Sequence, residues 1–180
     1  MWAPSMIEPY DPAQWTEFFF TAAASAAVLA GLIVVALSIY GDFIAGSPTH
    51  RAHARATLVT LTAAMVIGLA ALAEQPPEWA GWEFGLVSVG FAAVNTVNNR
   101  RTLQQVGWRV PAAAWLRMAI GYAIAAAGLV GAISIVLFQG AGGGLYWIAL
   151  EVTGALVWAI ASAWRFLIGV IDEKAASQLQ

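Results

Sequence analysis

Long apolar runs, broken by short intervals of charge, proline or glycine, set the pattern of this chain. A membrane-spanning helix needs about 20 consecutive, mostly apolar residues. The first such run extends from Phe18 to about Tyr40 without a charge. Gly41, Asp42 and the Gly46–Ser47–Pro48 punctuation end it. The second covers about 56–73, with Arg51 and Arg55 before it and Glu74 after it. Pro76 and Pro77 bar its continuation. The third, 79–97, is long enough only if Glu83 sits at the interface. Its strongly apolar part, 84–97, is short, and Asn95, Asn98, Asn99, Arg100 and Arg101 close it. The fourth begins after Pro111, a good first-turn residue, and covers about 112–138. The fifth follows the glycine-rich turn Gly140–Gly144, covers about 145–170 and ends at Asp172, Glu173 and Lys174. The pattern predicts an all-α fold: one polytopic transmembrane domain over 1–174 with five transmembrane helices, followed by a disordered tail at 175–180.

Composition strengthens this. The chain has 180 residues, of which 61% are hydrophobic and 10% charged. A soluble domain carries roughly 25% charged residues. The surplus apolar surface therefore needs lipid as its solvent. Met1 to Glu17 lacks Lys and Arg and carries Glu8, Asp11 and Glu17, so it reads as an acidic lead-in to a retained helix rather than a signal peptide. The absence of cysteine excludes disulfides, thiolate metal sites and thiol catalysis. A net charge of −2 gives no reason to expect a nucleic-acid partner.

Charge placement predicts orientation, because cytoplasmic loops retain Lys and Arg. Arg51 and Arg55 fall before the second run, Arg100, Arg101 and Arg109 between the third and fourth, and Arg165 and Lys174 at the end. Five helices put all of these on one side; four would split them. The acids Glu8, Asp11, Glu17, Glu74, Glu78 and Glu83 take the other side. The expected topology is N-terminus outside, C-terminus cytoplasmic. Trp15, Trp79, Trp82 and Trp147 then lie at the outer boundary and Trp108 and Trp115 at the inner one, where indoles anchor helices.

Association of helices in lipid relies on close approach through small residues. Ala23, Ala27 and Gly31 recur at four-residue spacing in the first run. Gly121, Gly128 and Gly131 do comparable work in the fourth, and Ala155 and Ala159 in the fifth. These stripes predict a compact bundle or a homo-oligomer. No internal repeat is evident, and five helices do not divide into the inverted halves of many transporters.

Few residues carry candidate chemistry. Glu151 lies about 9 Å of helix rise past Leu145, and an intramembrane carboxylate is expensive enough to count as a functional hypothesis. It reads either as a proton or cation site or as a carboxyl held neutral or hydrogen-bonded by a neighbouring helix. With Ala155, Trp158, Ser162 and Arg165 it shares one helix face, which should turn inward. Asn95, Asn98, Asn99, Arg117 and Arg165 gather near the cytoplasmic side. They read either as snorkelling side chains or as a pocket for an anionic lipid headgroup. His50 and His53 flank Arg51, but no nearby Cys or Glu completes a metal set. No nucleophile motif, phosphate loop or dinucleotide fingerprint is present, and no cofactor is expected.

Trp15-x-x-Phe18-Phe19 leading into Ala30-Gly31-Leu32-x-Val34-Val35-Ala36-Leu37-Ser38, and Gly140-Ala141-Gly142-Gly143-Gly144-Leu145-Tyr146-Trp147 before the last helix, carry a resemblance. On these stretches the chain resembles a family of uncharacterised bacterial, largely actinobacterial, multi-pass membrane proteins. The resemblance implies a bacterial cytoplasmic membrane and brings no activity or site residues with it. The expected function is a structural or accessory membrane protein, not an enzyme, acting through contacts with itself or a larger membrane complex. The alternative is a homo-oligomeric ion channel or small-solute transporter with Glu151 near the pathway.

Overall fold

A computed structural model describes residues 12–106, 112–138 and 143–177. The described residues are helical and contain no strand. A single 3-10 turn, Pro12–Trp15, leads into α1 (Thr16–Ile39). Then follow α2 (Gly41–Gly46), α3 (Pro48–Leu72), α4 (Pro77–Val106), α5 (Ala112–Phe138) and α6 (Gly144–Ser177). Four stretches, Pro12–Ile39, His50–Leu72, Ala114–Phe138 and Gly144–Gly169, are long and apolar enough to cross a membrane. α4 has the length but a more polar composition: acids mark its start, and Asn95 to Arg101 mark its end.

Several boundaries differ from those the hydropathy pattern predicts. α3 begins at Pro48, well before the apolar run at 56, because Ser47 caps it: its Oγ accepts from His50 N at 3.4 Å. His50 and His53 thus lie on a helix, not in a loop. α4 extends to Val106 because nothing between Val97 and Val106 breaks a helix. For the same reason α6 passes the charged run at 172–174 and continues to Ser177; residues 178–180, like Trp108, Arg109 and Gly140–Gly142, lie outside the described residues. At the start of α6, Gly143 takes φ +67°, a left-handed conformation suited to glycine.

α3, α4, α5 and α6 form a closed ring, each packed on the next and α6 returning to α3. α1 lies outside it, against α3, and touches α6 only slightly. Consecutive long helices run in opposite directions. Trp15 at the start of α1 meets Tyr146 at the start of α6, with ring centroids 4.7 Å apart. The end of α5 meets the start of α6 at Gly131 and Gly144. Consequently the starts of α3 and α5 and the ends of α4 and α6 share one end of the bundle. That end carries Arg51, Arg55, Arg100, Arg101, Arg117 and Arg165. The opposite end carries Glu17, Glu74, Glu78 and Glu83, where Glu83 Oε2 accepts from Gln75 Nε2 at 2.9 Å.

The core is a thin seam of small and large apolar side chains, with Phe19, Phe84, Ile67, Ile135, Ile148 and Val152 fully enclosed. The outside is apolar too: Phe20, Leu32, Leu86, Leu137 and Ile168 are exposed. α1 seats on α3 through small residues. A Cβ on Gly68 would lie 2.9 Å from Ala23 Cβ and 3.0 Å from the Phe19 carbonyl oxygen. Gly68→Leu is therefore expected to lever α1 away from α3 and cost about 1–3 kcal/mol. Chemical unfolding in detergent, followed by tryptophan fluorescence, measures it.

Candidate polar cleft and buried carboxyl

The centre of the four-helix ring opens at its basic end into a cleft of about 580 Å³. That volume falls within the usual range for small-molecule sites. All four ring helices supply its walls. α4 contributes Asn95, Asn98 and Asn99, each one turn or less from the next. α5 contributes Arg117 and α6 Arg165, and α3 adds His50 and His53. The five residues expected to form a headgroup pocket, Asn95, Asn98, Asn99, Arg117 and Arg165, are thus brought together by three helices. The histidines join them because α3 starts early.

Individual side chains are held in place locally. The Arg165 guanidinium lies 5.7 Å from the Trp158 ring centroid, and its Nε–H donates to the Ala161 carbonyl oxygen at 3.2 Å. Tyr122 Oη donates to Thr96 Oγ1 at 3.1 Å and ties α5 to α4 beside the cleft. Thr57 and Thr60 turn their hydroxyl hydrogens back onto His53 and Ala56 carbonyls, at 3.0 and 2.9 Å. Asn95 Nδ2 is buried and has no hydrogen-bond partner among the described residues. It lies against α5 where Gly121 leaves room: a Cβ there would fall 3.4 Å from Nδ2. A buried amide donor of this kind costs about 1–3 kcal/mol unless something accepts from it.

Deeper in the ring lies Glu151, only 2% exposed. Its Oε2 accepts from Ser88 Oγ at 2.9 Å, a bond that crosses the ring from α4 to α6. Ser88 Oγ also lies 2.8 Å from the Phe84 carbonyl oxygen. Gly128 on α5 makes this crossing fit, since a Cβ at 128 would overlap both the Glu151 carboxyl and Ser88 Oγ. Ser88, Gly128 and Glu151 form one layer; Asn95, Gly121 and Trp158 form another, seven residues along each helix, or about 10 Å. Between them sit Phe91, Ile124, Ala125 and Ala155, all buried and apolar. The carboxyl and the cleft are separate features of one bundle.

The remaining packing residues divide into two groups. Ala23, Gly121, Gly128, Gly131, Ala155 and Ala159 face other helices of the same chain. A Cβ on Gly131 would meet the Gly144 carbonyl oxygen at 2.8 Å. Ala27 and Gly31 instead lie exposed on the outer side of α1, and nothing lies within 4 Å of a Cβ placed on Gly31. Sequence reasoning did not find Ser88 as the partner of Glu151. The available signal was a lone serine in the apolar part of α4, seven residues before Asn95.

No family model, curated protein or solved structure matches this chain.

Proposed function

We propose that this chain is a five-span protein of a bacterial cytoplasmic membrane that holds an anionic ligand in the cleft at its cytoplasmic end. In this reading it catalyses no reaction itself and acts as an accessory subunit. One observation carries the proposal: residues far apart in sequence, Asn95, Asn98, Asn99, Arg117 and Arg165, line one cleft on the basic end of a bundle with apolar flanks. Guanidinium and amide groups are donors, and a phosphate or carboxylate is the complementary acceptor.

The fifth span is supported by α4 itself. Its 30 residues rise about 45 Å, more than the roughly 30 Å of hydrocarbon to be crossed. It runs antiparallel to α3 and α5, and its outer face from Trp79 to Val97 exposes Trp82, Leu86 and Val89. Such a face belongs in lipid. The separation of Arg and acidic residues to opposite ends supports an N-terminus outside and a C-terminus in the cytoplasm. Glu151 enters this reading as a clasp between α4 and α6, because apolar residues separate it from the cleft. The outward Ala27 and Gly31 on α1 support lateral association with a second membrane helix.

The test uses purified protein in detergent and native mass spectrometry with added phosphatidylglycerol. Replacing both cleft arginines, Arg117→Gln with Arg165→Gln, is expected to weaken retention about 100-fold. That figure is the lower end of what losing two charge-assisted hydrogen bonds, worth about 1.5–3 kcal/mol each, would cost. Undiminished retention by the double variant would refute the cleft as an anion site.

A further inference from the structure

We infer that Glu151 is a proton site: its carboxyl holds a proton inside the bundle and shares it in a hydrogen bond with Ser88 Oγ, clasping α6 to α4. The count of hydrogens carries this. Ser88 has one hydroxyl hydrogen and two oxygens within reach, Glu151 Oε2 at 2.9 Å and the Phe84 carbonyl oxygen at 2.8 Å. With an ionised carboxyl, that hydrogen goes to Glu151 and the approach to Phe84 lacks one. With a protonated carboxyl, Glu151 donates to Ser88 Oγ, Ser88 donates to Phe84, and both short approaches are hydrogen bonds. The second arrangement gives Ser88 the bond that other hydroxyls of these helices make. Ser38, Thr57, Thr60 and Thr96 each donate to the carbonyl four residues earlier, at 2.8–3.0 Å.

The surroundings supply no counter-charge. Among the described residues Glu151 is the only buried side chain that titrates; the other buried polar ones are Thr57, Thr60, Ser88 and Ser134. On α4 the nearest acid is Glu83, about 7 Å of helix rise from Ser88. It is exposed and bonded to Gln75. Glu17 of α1, Glu74 and Glu78 are exposed at the same acidic end. His50 and His53 of α3, Arg117 of α5 and Arg165 of α6 line the cleft, beyond the apolar layer of Phe91, Ile124, Ala125 and Ala155. α5 itself brings only the bare backbone of Gly128 against the carboxyl. An ionised carboxylate here would have a hydroxyl and no cation, which costs far more than burying the neutral acid. The proton is thus the ligand that completes the ring, whether or not the cleft holds an anion.

The experiment is infrared spectroscopy of the purified protein in lipid at about pH 7, where exposed carboxyls, with pKa values of roughly 4, are ionised. Wild type is expected to show the carbonyl band of one protonated carboxyl, shifted in heavy water and lost in Glu151→Gln. Ser88→Ala removes the acceptor but keeps the acid, so its band should persist and move to higher frequency. A wild-type spectrum with no acid band would overturn the inference, and this readout needs neither variant to fold. An acid band that survives in Glu151→Gln would overturn it too, by placing the proton elsewhere. Sodium dodecyl sulfate titration from about pH 6 to 9 adds the energetic side. The Glu151→Gln amide donates to Ser88 Oγ with no proton to lose. Wild type should therefore lose stability relative to Glu151→Gln as the pH rises and the proton is withdrawn. A difference between the two midpoints that shrinks or stays constant with rising pH, while wild type loses its acid band, would show that the proton does not hold the clasp.

Discussion

Gly128→Leu is expected to be the most damaging single substitution in the ring, costing about 2–6 kcal/mol. Two effects add. A side chain at 128 overlaps the Glu151 carboxyl and Ser88 Oγ, and overpacking of this kind costs about 1–3 kcal/mol. Pushing the two groups apart also leaves a buried carboxyl without its hydrogen bond, worth roughly 1–3 kcal/mol more. The change should appear as a lower midpoint in sodium dodecyl sulfate titration of the purified protein. Gly31→Leu is the matched control, since a side chain there meets nothing within the chain. Equal stability of Gly128→Leu and wild type would contradict the crossing bond.

An all-or-none result is expected from labelling. The chain has no cysteine, so a single introduced thiol is read without background. Gln75→Cys, between α3 and α4, should react with a membrane-impermeant maleimide on intact cells. Gln104→Cys, near the end of α4, should react only after lysis. Labelling of both on intact cells, or of neither, would mean that α4 does not cross the membrane and the orientation needs to be redrawn.

Sequence patterning located the long helices well because their interruptions are chemically blunt: Pro76 and Pro77, or the glycines before Leu145. It placed the starts and ends less well. α3 gains its first two turns from a serine cap and not from hydropathy, and those turns bring His50 and His53 to the cleft. Asn95, Asn98, Asn99, Arg117 and Arg165 were legible as a group from charge asymmetry alone, since one end of a bundle collects what lipid rejects. Their arrangement around one opening depends on which helices are neighbours, and that information is not periodic. The small-residue stripes were legible but ambiguous. In a lipid-solvated helix both faces are apolar, so Ala23 and Ala27 look alike in sequence, although one is buried and the other exposed.

The closed ring with α1 outside it imposes an order on biogenesis. Synthesis delivers the N-terminus first, so α1 enters the bilayer before α3, the surface it needs, has been made. The ring shuts only when α6, the last helix, reaches back to α3. Until then Ser88 lacks Glu151, and the arginine-lined opening has no fourth wall. A chain stalled before residue 144 would therefore leave open to lipid the faces of α3 and α5 that α6 covers. Synthesis of α6 is what turns a row of inserted helices into a closed ring.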